Sequence, residues 1–117
     1  MIDEKTKIIG RIPLAHLAEG RLVRLAYPPY DVLVSLVRGI PCAIEDACNH
    51  AGASLSEGDR SEECVTCPMH GYIFELATGR LVEPARLCES QRAFVAWIEG
   101  SDVIVSDPGA DVIVVGA

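Results

Sequence analysis

The sequence is poor in positive charge. It has 10 lysines and arginines against 17 aspartates and glutamates, which gives a formal net charge of -7. Binding to the phosphates of nucleic acid requires the opposite sign, so we expect no nucleic-acid partner. An acidic surface instead suits a protein partner that has a basic docking face.

The sequence also lacks a long hydrophobic run. Its apolar stretches, such as residues 112–115, are far shorter than the ~20 residues that a membrane-spanning helix needs. Residues 1–8 are mixed in charge and lack the apolar core of a signal peptide. We therefore expect no membrane association and a cytoplasmic location.

Helix signals are nearly absent as well. Only residues 14–19 suggest a helix, of about one turn, which Gly20 would end. The dominant pattern is the period of two that is typical of strands. It predicts strands at about 7–12, 21–26, 31–38, 41–45, 72–76, 80–83, 92–99 and 102–106. We therefore expect one all-β domain over residues 1–117.

Turn signals join several of these strands into hairpins. Gly100 and Ser101 form a glycine-first loop of two residues, which predicts a type II′ turn. Residues 38–41 and 77–79 predict two more turns. In contrast, residues 46–62 are small and polar and predict a long loop, and such loops in compact domains are usually functional or disordered. This loop holds a cysteine and a histidine two positions apart, which favours function.

Histidine and cysteine are scarce, yet they cluster. Of 3 histidines and 5 cysteines, two of each fall in one pattern. The pattern is Cys48-Asn-His50, then sixteen residues, then Cys67-Pro-Met-His70. An odd cysteine count in a reducing compartment argues against a disulfide framework. The other residues of these types are expected to be ordinary core or surface residues: Cys42, Cys64, Cys88 and His16.

Three kinds of site can use this pattern. Two thiolates and two imidazoles can hold a tetrahedral zinc ion, although structural zinc sites prefer C-x₂₋₄-C and H-x₃₋₅-H pairs. A catalytic Cys–His pair would use one residue of each type and leave two idle. A two-iron cluster explains the mixture, because one iron takes both thiolates and the other takes both imidazoles.

At these residues the sequence resembles the Rieske family, and within it the small soluble ferredoxins. The stretches 48–52, 55–58 and 67–74 look like the two cluster loops, at about 46–62 and 66–73. Residues 78–80 and 83–85 look like the following hairpin and the proline loop that covers the cluster. The resemblance spans most of residues 7–106. It implies an antiparallel β-sandwich or barrel-like core and a cluster-binding subdomain built of two loops.

The resemblance also implies one [2Fe-2S] cluster per chain. Cys48 and Cys67 would hold the inner iron, and His50 and His70 the outer, redox-active iron. Members of the respiratory and photosynthetic complexes carry an extra cysteine on each loop, and these two form a disulfide. The corresponding residues here are Ala53 and Met69, so that disulfide cannot form.

Two further departures bear on the reduction potential. Those complexes place a serine and a tyrosine whose hydroxyls bond to the cluster sulfurs. The matching residues here are Tyr72 and Phe74, of which Phe74 has no hydroxyl and Tyr72 is too long to replace a serine. Fewer hydrogen bonds leave the reduced cluster less stabilised, so we expect the low end of the Rieske range, roughly −150 mV.

The expected function is a monomeric one-electron carrier. It would pass electrons from a flavin-dependent ferredoxin reductase to a terminal Rieske oxygenase. It would not itself be the oxygenase, because His16 is the sole histidine left for a 2-His-1-carboxylate iron site. Two alternatives remain: a small subunit of a larger reductase, such as assimilatory nitrite reductase, and a zinc-stabilised structural module.

Two segments carry further expectations. Residues 45–63 contain one base, Arg60, and six acids, which would form an acidic rim that steers a basic partner to the cluster. The acids are Glu45, Asp46, Glu57, Asp59, Glu62 and Glu63. The apolar segment 109–117 extends past the family resemblance, and we expect it to pack as an edge strand or to pair with another chain.

Overall fold

The computed structural model describes residues 7–29, 31–47, 53–69, 71–83 and 91–108. These residues form ten strands and two short 3₁₀ helices, which span Leu14–Gly20 and Leu55–Glu57. The strands are β1 (Lys7–Pro13), β2 (Val23–Leu25), β3 (Val32–Val37), β4 (Ile40–Glu45), β5 (Asp59–Ser61), β6 (Cys64–Thr66), β7 (Ile73–Glu75), β8 (Leu81–Glu83), β9 (Ala93–Glu99) and β10 (Asp102–Asp107). The all-β prediction is confirmed.

The strands form two antiparallel sheets. The larger sheet has the order β1-β10-β9-β4-β3-β2, and the smaller has the order β5-β6-β7-β8. One face of the large sheet encloses a hydrophobic cluster that includes Ile12 of β1 and Val105 of β10, with Val23 of β2 packed against it. Because side chains from both edge strands contact one cluster, the large sheet is curled.

A second hydrophobic cluster joins the two sheets. Leu33 and Ile44 contribute from the large sheet, and Val65 and Phe74 from the small one. All four side chains are fully buried. Burial of side chains of this size stabilises a fold by about 1.5–3 kcal/mol each. The small sheet is therefore fixed to β3 and β4 through an apolar contact.

The region around residues 59–66 differs from the sequence-based expectation. The predicted loop over 46–62 is wrong for its second half, since Leu55–Glu57 is a 3₁₀ helix and Asp59–Ser61 is strand β5. Strand β6 was also not predicted. Asp-Arg-Ser carries no apolar alternation, and its strand conformation comes from pairing with β6, so propensity gave no signal.

The predicted turns are confirmed in more detail. Gly100 has a φ of 64°, and Glu99 pairs with Asp102 across the two-residue loop. Type I′ and II′ turns both have a positive φ at the first loop position, but only type I′ has one at the second. Ser101 does not have a positive φ, so the turn is type II′. The predicted turn at 38–41 is narrower, because Val37 pairs with Ile40 and leaves two loop residues. The segment 109–117 lies outside the described residues.

Candidate metal centre

Cys67 is the one predicted ligand among the described residues. Cys67 directly follows β6 and is 2% exposed. It belongs to the hydrophobic cluster that joins the two sheets. Cys48, His50 and His70 lie outside the described residues, so their roles stay predictions. Within the described part of the chain, no group of three or more potential metal-binding side chains is found.

The segment that begins at Cys67 is a narrow main-chain loop. The N–H of Cys67 donates to the carbonyl of Tyr72 at 2.7 Å, and the N–H of Gly71 donates to the carbonyl of Cys67 at 3.1 Å. Gly71 has a φ of 74°, a conformation that a glycine adopts without strain. Met69 lies on this loop and is 62% exposed. The loop therefore has a buried base at Cys67 and an exposed tip.

The stem of the other predicted ligand loop is held by Asp46. The carbonyl of Asp46 accepts the N–H of Leu55, and its carboxylate accepts the N–H of Ser56, both at 2.8 Å. Ala47 and Ser54 also form an isolated bridge across the stem. The side chain of Asp46 is 1% exposed. Asp46 is thus a structural carboxylate, and its assignment to an exposed acidic rim is wrong.

The stem of the first ligand loop lies close to the base of the second loop, at Cys67. Asp59, which follows the first stem, pairs with Thr66, the residue before Cys67. Leu55 and Cys67 belong to the hydrophobic cluster that joins the sheets, and Ala53 packs against this hydrophobic cluster. The fold therefore brings the residues that flank Cys48 and His50 to the end of the small sheet that carries Cys67.

These surroundings fit an iron–sulfur cluster. The donor types in the two loops are thiolate and imidazole, which the two irons of a Rieske cluster require. The buried base is apolar, formed by side chains such as Leu55 and Phe74, and such a shell limits solvent access to a metal site. The first loop is anchored by main-chain bonds, so its ligands start from a fixed stem.

Two other cysteines are not part of this site. Cys42 and Cys64 are free thiols, the first buried and the second partly buried. Desolvation raises the pKa of both thiols above the ordinary value of 9.0. A raised pKa makes the thiolate, which is the reactive and metal-binding form, harder to form at these two residues. Cys88 lies outside the described residues, and His16 is exposed as expected.

Two polar residues that the sequence did not single out connect the sheets. Gln91 is 3% exposed, and its side-chain amide donates to the carbonyls of Glu45 and Ala47 at 2.8 and 2.7 Å. Arg60 of β5 donates to the hydroxyl of Ser35 at 2.8 Å. A lone glutamine beside a strand and a single arginine in an acidic segment give no sequence signal for such contacts.

No helix among the described residues is long and apolar enough to cross a membrane.

A family model described as the Rieske [2Fe-2S] domain matches residues 13–94. The ferredoxin component of biphenyl 2,3-dioxygenase from Rhodococcus jostii (strain RHA1) is 37% identical over 93 residues, which cover 80% of this chain and 86% of that protein.

Solved structures share the fold. A chain in a complex of reduced oxygenase and oxidized ferredoxin in carbazole 1,9a-dioxygenase matches with a TM-score of 0.76 at 24% identity, covering 89% of this chain and 94% of that one. A putative NADH-dependent nitrite reductase small subunit from Mycobacterium tuberculosis matches with a TM-score of 0.70 at 22% identity, covering 90% and 96%. The family match spans well over half of the sequence, and the chain therefore belongs to the Rieske [2Fe-2S] domain family.

Proposed function

We propose that this chain is the ferredoxin component of a Rieske oxygenase system. In this proposal it takes one electron from a flavin-dependent reductase and passes it to a terminal oxygenase. The observation that carries it is the Rieske match combined with 37% identity to a protein named as the ferredoxin component of a dioxygenase. Its role is then electron transfer and not turnover of a substrate.

The proposed ligands are Cys48 and Cys67 for one iron and His50 and His70 for the other. When bound, the cluster supplies reversible one-electron chemistry. The chain itself contributes the buried Cys67 and the apolar base beneath it, which limit the access of water. The exposed tip of the second loop, at Met69, gives a partner an approach to the same end of the molecule.

The ligand assignment is tested by paired substitutions. Cys67→Ser is expected to abolish the visible absorption of the cluster and the bound iron, because the thiolate ligand is lost. Cys42→Ser is the matched control, since Cys42 is another buried cysteine and lies in a different strand. Iron, acid-labile sulfide and zinc are measured in both. A colourless wild-type protein that holds zinc would reject the cluster and support the structural-module alternative.

The low potential is the second part of the proposal. Phe74 is fully buried in the hydrophobic cluster to which Cys67 also belongs, and its ring has no hydroxyl that could donate a hydrogen bond to a sulfur of the iron–sulfur cluster. We expect a potential of roughly −150 mV, the low end of the Rieske range. A redox titration that gives a value well above zero would contradict this part. Such a value would not suit transfer from a flavin reductase.

The nitrite reductase alternative rests on fold alone. The small-subunit match has 22% identity, whereas the dioxygenase ferredoxin has 37%. Purification separates the two. A ferredoxin component is expected as a free monomer that reduces an added Rieske oxygenase, and a subunit is expected to co-purify with a large flavin or haem protein.

A cytoplasmic location completes the proposal. Cys42 and Cys64, the described cysteines that are not proposed as ligands, are free thiols, and free thiols suit a reducing compartment. Cell fractionation with an antibody against the chain tests this part. Recovery from the periplasmic or extracellular fraction would contradict it.

A further inference from the structure

Gln91 contacts residues that lie shortly before Cys48 in the chain. Its side-chain NH₂ group donates to the carbonyl of Glu45 at 2.8 Å and to the carbonyl of Ala47 at 2.7 Å. Ala47 is the residue directly before Cys48 in the chain. An amide NH₂ has two donors, so one glutamine satisfies two carbonyls at once. The side chain of Gln91 therefore holds the stem of the first loop in addition to the stem's own bonds within residues 46–56, as a second buried polar side chain besides Asp46.

The main chain of Gln91 is itself anchored to the small sheet. Its N–H donates to the carbonyl of Gly79 at 2.7 Å. Gly79 lies in the turn between β7 and β8, has a φ of 79°, and has no space for a Cβ atom because the carbonyl of Gln91 is in contact with it. A side chain at position 79 would push Gln91 away. The main chain of Gln91 is thus fixed by its contacts with Gly79, independently of the bonds that its side-chain amide makes to Glu45 and Ala47.

This arrangement connects the two sheets that carry the proposed ligands. Cys48 follows β4 of the large sheet, and Cys67 follows β6 of the small sheet. Gln91 joins the turn of the small sheet to the end of β4 through the bonds just described. We propose that Gln91 is a positioning residue that sets the separation of the two cluster loops, an inference that rests on the proposed cluster ligands.

The chain offers a matched control at another bridge between the sheets. The hydroxyl of Ser35 in β3 accepts a bond from Arg60 in β5 and is also fully buried. Ser35 pairs with Cys42, which is six residues before Cys48, or about 20 Å along an extended strand. Arg60 lies in the small sheet and pairs with Val65, two residues before Cys67. Loss of this bridge therefore weakens the contact between the sheets and leaves the bonds of Gln91 to the stem of the first loop in place.

The test uses the full-length, cluster-loaded protein and three variants. Gln91→Met keeps the length of the side chain and removes both donors, and Gln91→Asn keeps the amide but shortens it. Ser35→Ala removes the control bridge. The readouts are the EPR g values of the reduced cluster, the visible circular dichroism and the rate of cluster loss to an iron chelator. The midpoint of urea unfolding is measured alongside.

Gln91→Met is expected to shift the g values and the dichroism and to speed cluster loss roughly tenfold, because two buried carbonyls lose their donors. Gln91→Asn should show a smaller change of the same kind and decides the question if the Met variant does not fold. Ser35→Ala should lower the unfolding midpoint and leave the spectra unchanged. Wild-type spectra and chelation rate in both Gln91 variants would overturn the inference, as would equal spectral changes in Ser35→Ala.

Failure of the proposed function is recognisable separately. If the wild-type protein itself binds no iron and sulfide, the proposed ligands and this inference both fall. If the wild-type protein holds the cluster and the Gln91 variants match it, only the positioning role falls.

Discussion

Gly58 lies against the carbonyl oxygen of Thr66, so close that a Cβ atom on Gly58 would stand well within 3.0 Å of it. The backbone φ of Gly58 is −88°, so the requirement for glycine here is one of space and not of conformation. This contact is where the exit of the first ligand loop meets the strand that leads to Cys67. Glycine is therefore needed at position 58 to bring the two loops together.

Gly58→Ala is expected to destabilise the protein and loosen its cluster. The obstructing atom belongs to the main chain of β6, which cannot turn away as a side chain does, and overpacking of this kind costs about 1–3 kcal/mol. Urea unfolding gives the free energy, and chelator-induced bleaching gives the cluster stability. Gly100→Asn is the control, since nothing lies near a Cβ at Gly100 and Asn tolerates its positive φ. Equal stability of the two variants would contradict the prediction.

The Arg60 side chain predicts a second large effect on stability. It donates to the hydroxyl of Ser35 at 2.8 Å, to the carbonyl of Leu36 at 2.6 Å and to the carbonyl of Glu62 at 2.9 Å. Arg60→Met keeps the aliphatic stem and removes all three donors. A buried hydrogen bond to a charged group contributes about 1.5–3 kcal/mol. The bond to Glu62 is exposed and the other two are only partly buried, so we expect a total loss of about 2–3 kcal/mol and not three times the value for one bond.

The measurement for Arg60 is urea unfolding of the variant and of Arg60→Lys. Lysine keeps the charge but presents a compact ammonium group instead of a planar fork, so it should recover part of the loss. A loss below about 0.5 kcal/mol in the Met variant, the range of ordinary surface changes, would show that the bridge is dispensable.

Local patterns in the sequence predict one part of the fold and leave another part without a signal. The strands with apolar alternation, such as β3 and β9, were predicted, because burial on a sheet face leaves a period of two in the sequence. The Cys–His motifs at 48–50 and 67–70 are equally local, and they predict the family that the match to the Rieske [2Fe-2S] domain shows. In contrast, β5 is a polar strand that pairs with β6 across a two-residue turn, so it leaves no apolar alternation in the sequence. The burial of Asp46 depends on its bonds to Leu55 and Ser56, nine and ten residues further along the chain, and no local pattern signals it.

Tyr27 predicts how stability depends on alkaline pH. Its hydroxyl donates to the carboxylate of Asp107 at 2.6 Å, and this hydrogen bond, with burial and the carboxylate's charge, raises the pKa of Tyr27 above 10.0. A pKa that is raised on folding gives stability that is complete below the unfolded value and lost as pH rises through the folded value. We therefore expect the contribution of Tyr27 to be constant near pH 7–9 and to fall above 10.

The measurement for Tyr27 is the difference in unfolding free energy between wild type and Tyr27→Phe across this range. The difference should be roughly 0.5–1 kcal/mol at pH 7 and shrink in alkali. Cys42 and Cys64 also have raised pKa values, but they are present in both proteins and cancel in the difference. A difference that stays constant or grows above pH 10 would refute the prediction.

The acidic segment 45–63 is divided by the fold into two groups. Glu57 and Asp59 are exposed, and Asp59 pairs with Thr66 beside Cys67. Glu62 is also exposed but lies in the turn at the other end of β5, and Glu63 forms an ion pair with Arg38. The distance from Asp59 to Glu62 along the chain is about 10 Å, close to one Debye length at physiological ionic strength. Steering of a partner to the cluster should therefore depend on the first group.

Reversal of Glu57 and Asp59 to lysine is expected to slow reduction by a ferredoxin reductase about three- to tenfold at low ionic strength and to flatten its salt dependence, because rim charges act mainly on the association rate. Stopped-flow bleaching of the cluster at several salt concentrations measures both. The single variants Glu57→Lys and Asp59→Lys are measured as well. Glu62→Lys changes the net charge by the same amount as each single variant, so it is the matched control and should have a smaller effect. The reduction potential of each variant is also measured and should equal that of the wild type. A change in the reduction rate then comes from slower association and not from a changed driving force. An equal effect of Glu62→Lys would show that net charge steers the partner, and not the end of the molecule that carries Cys67.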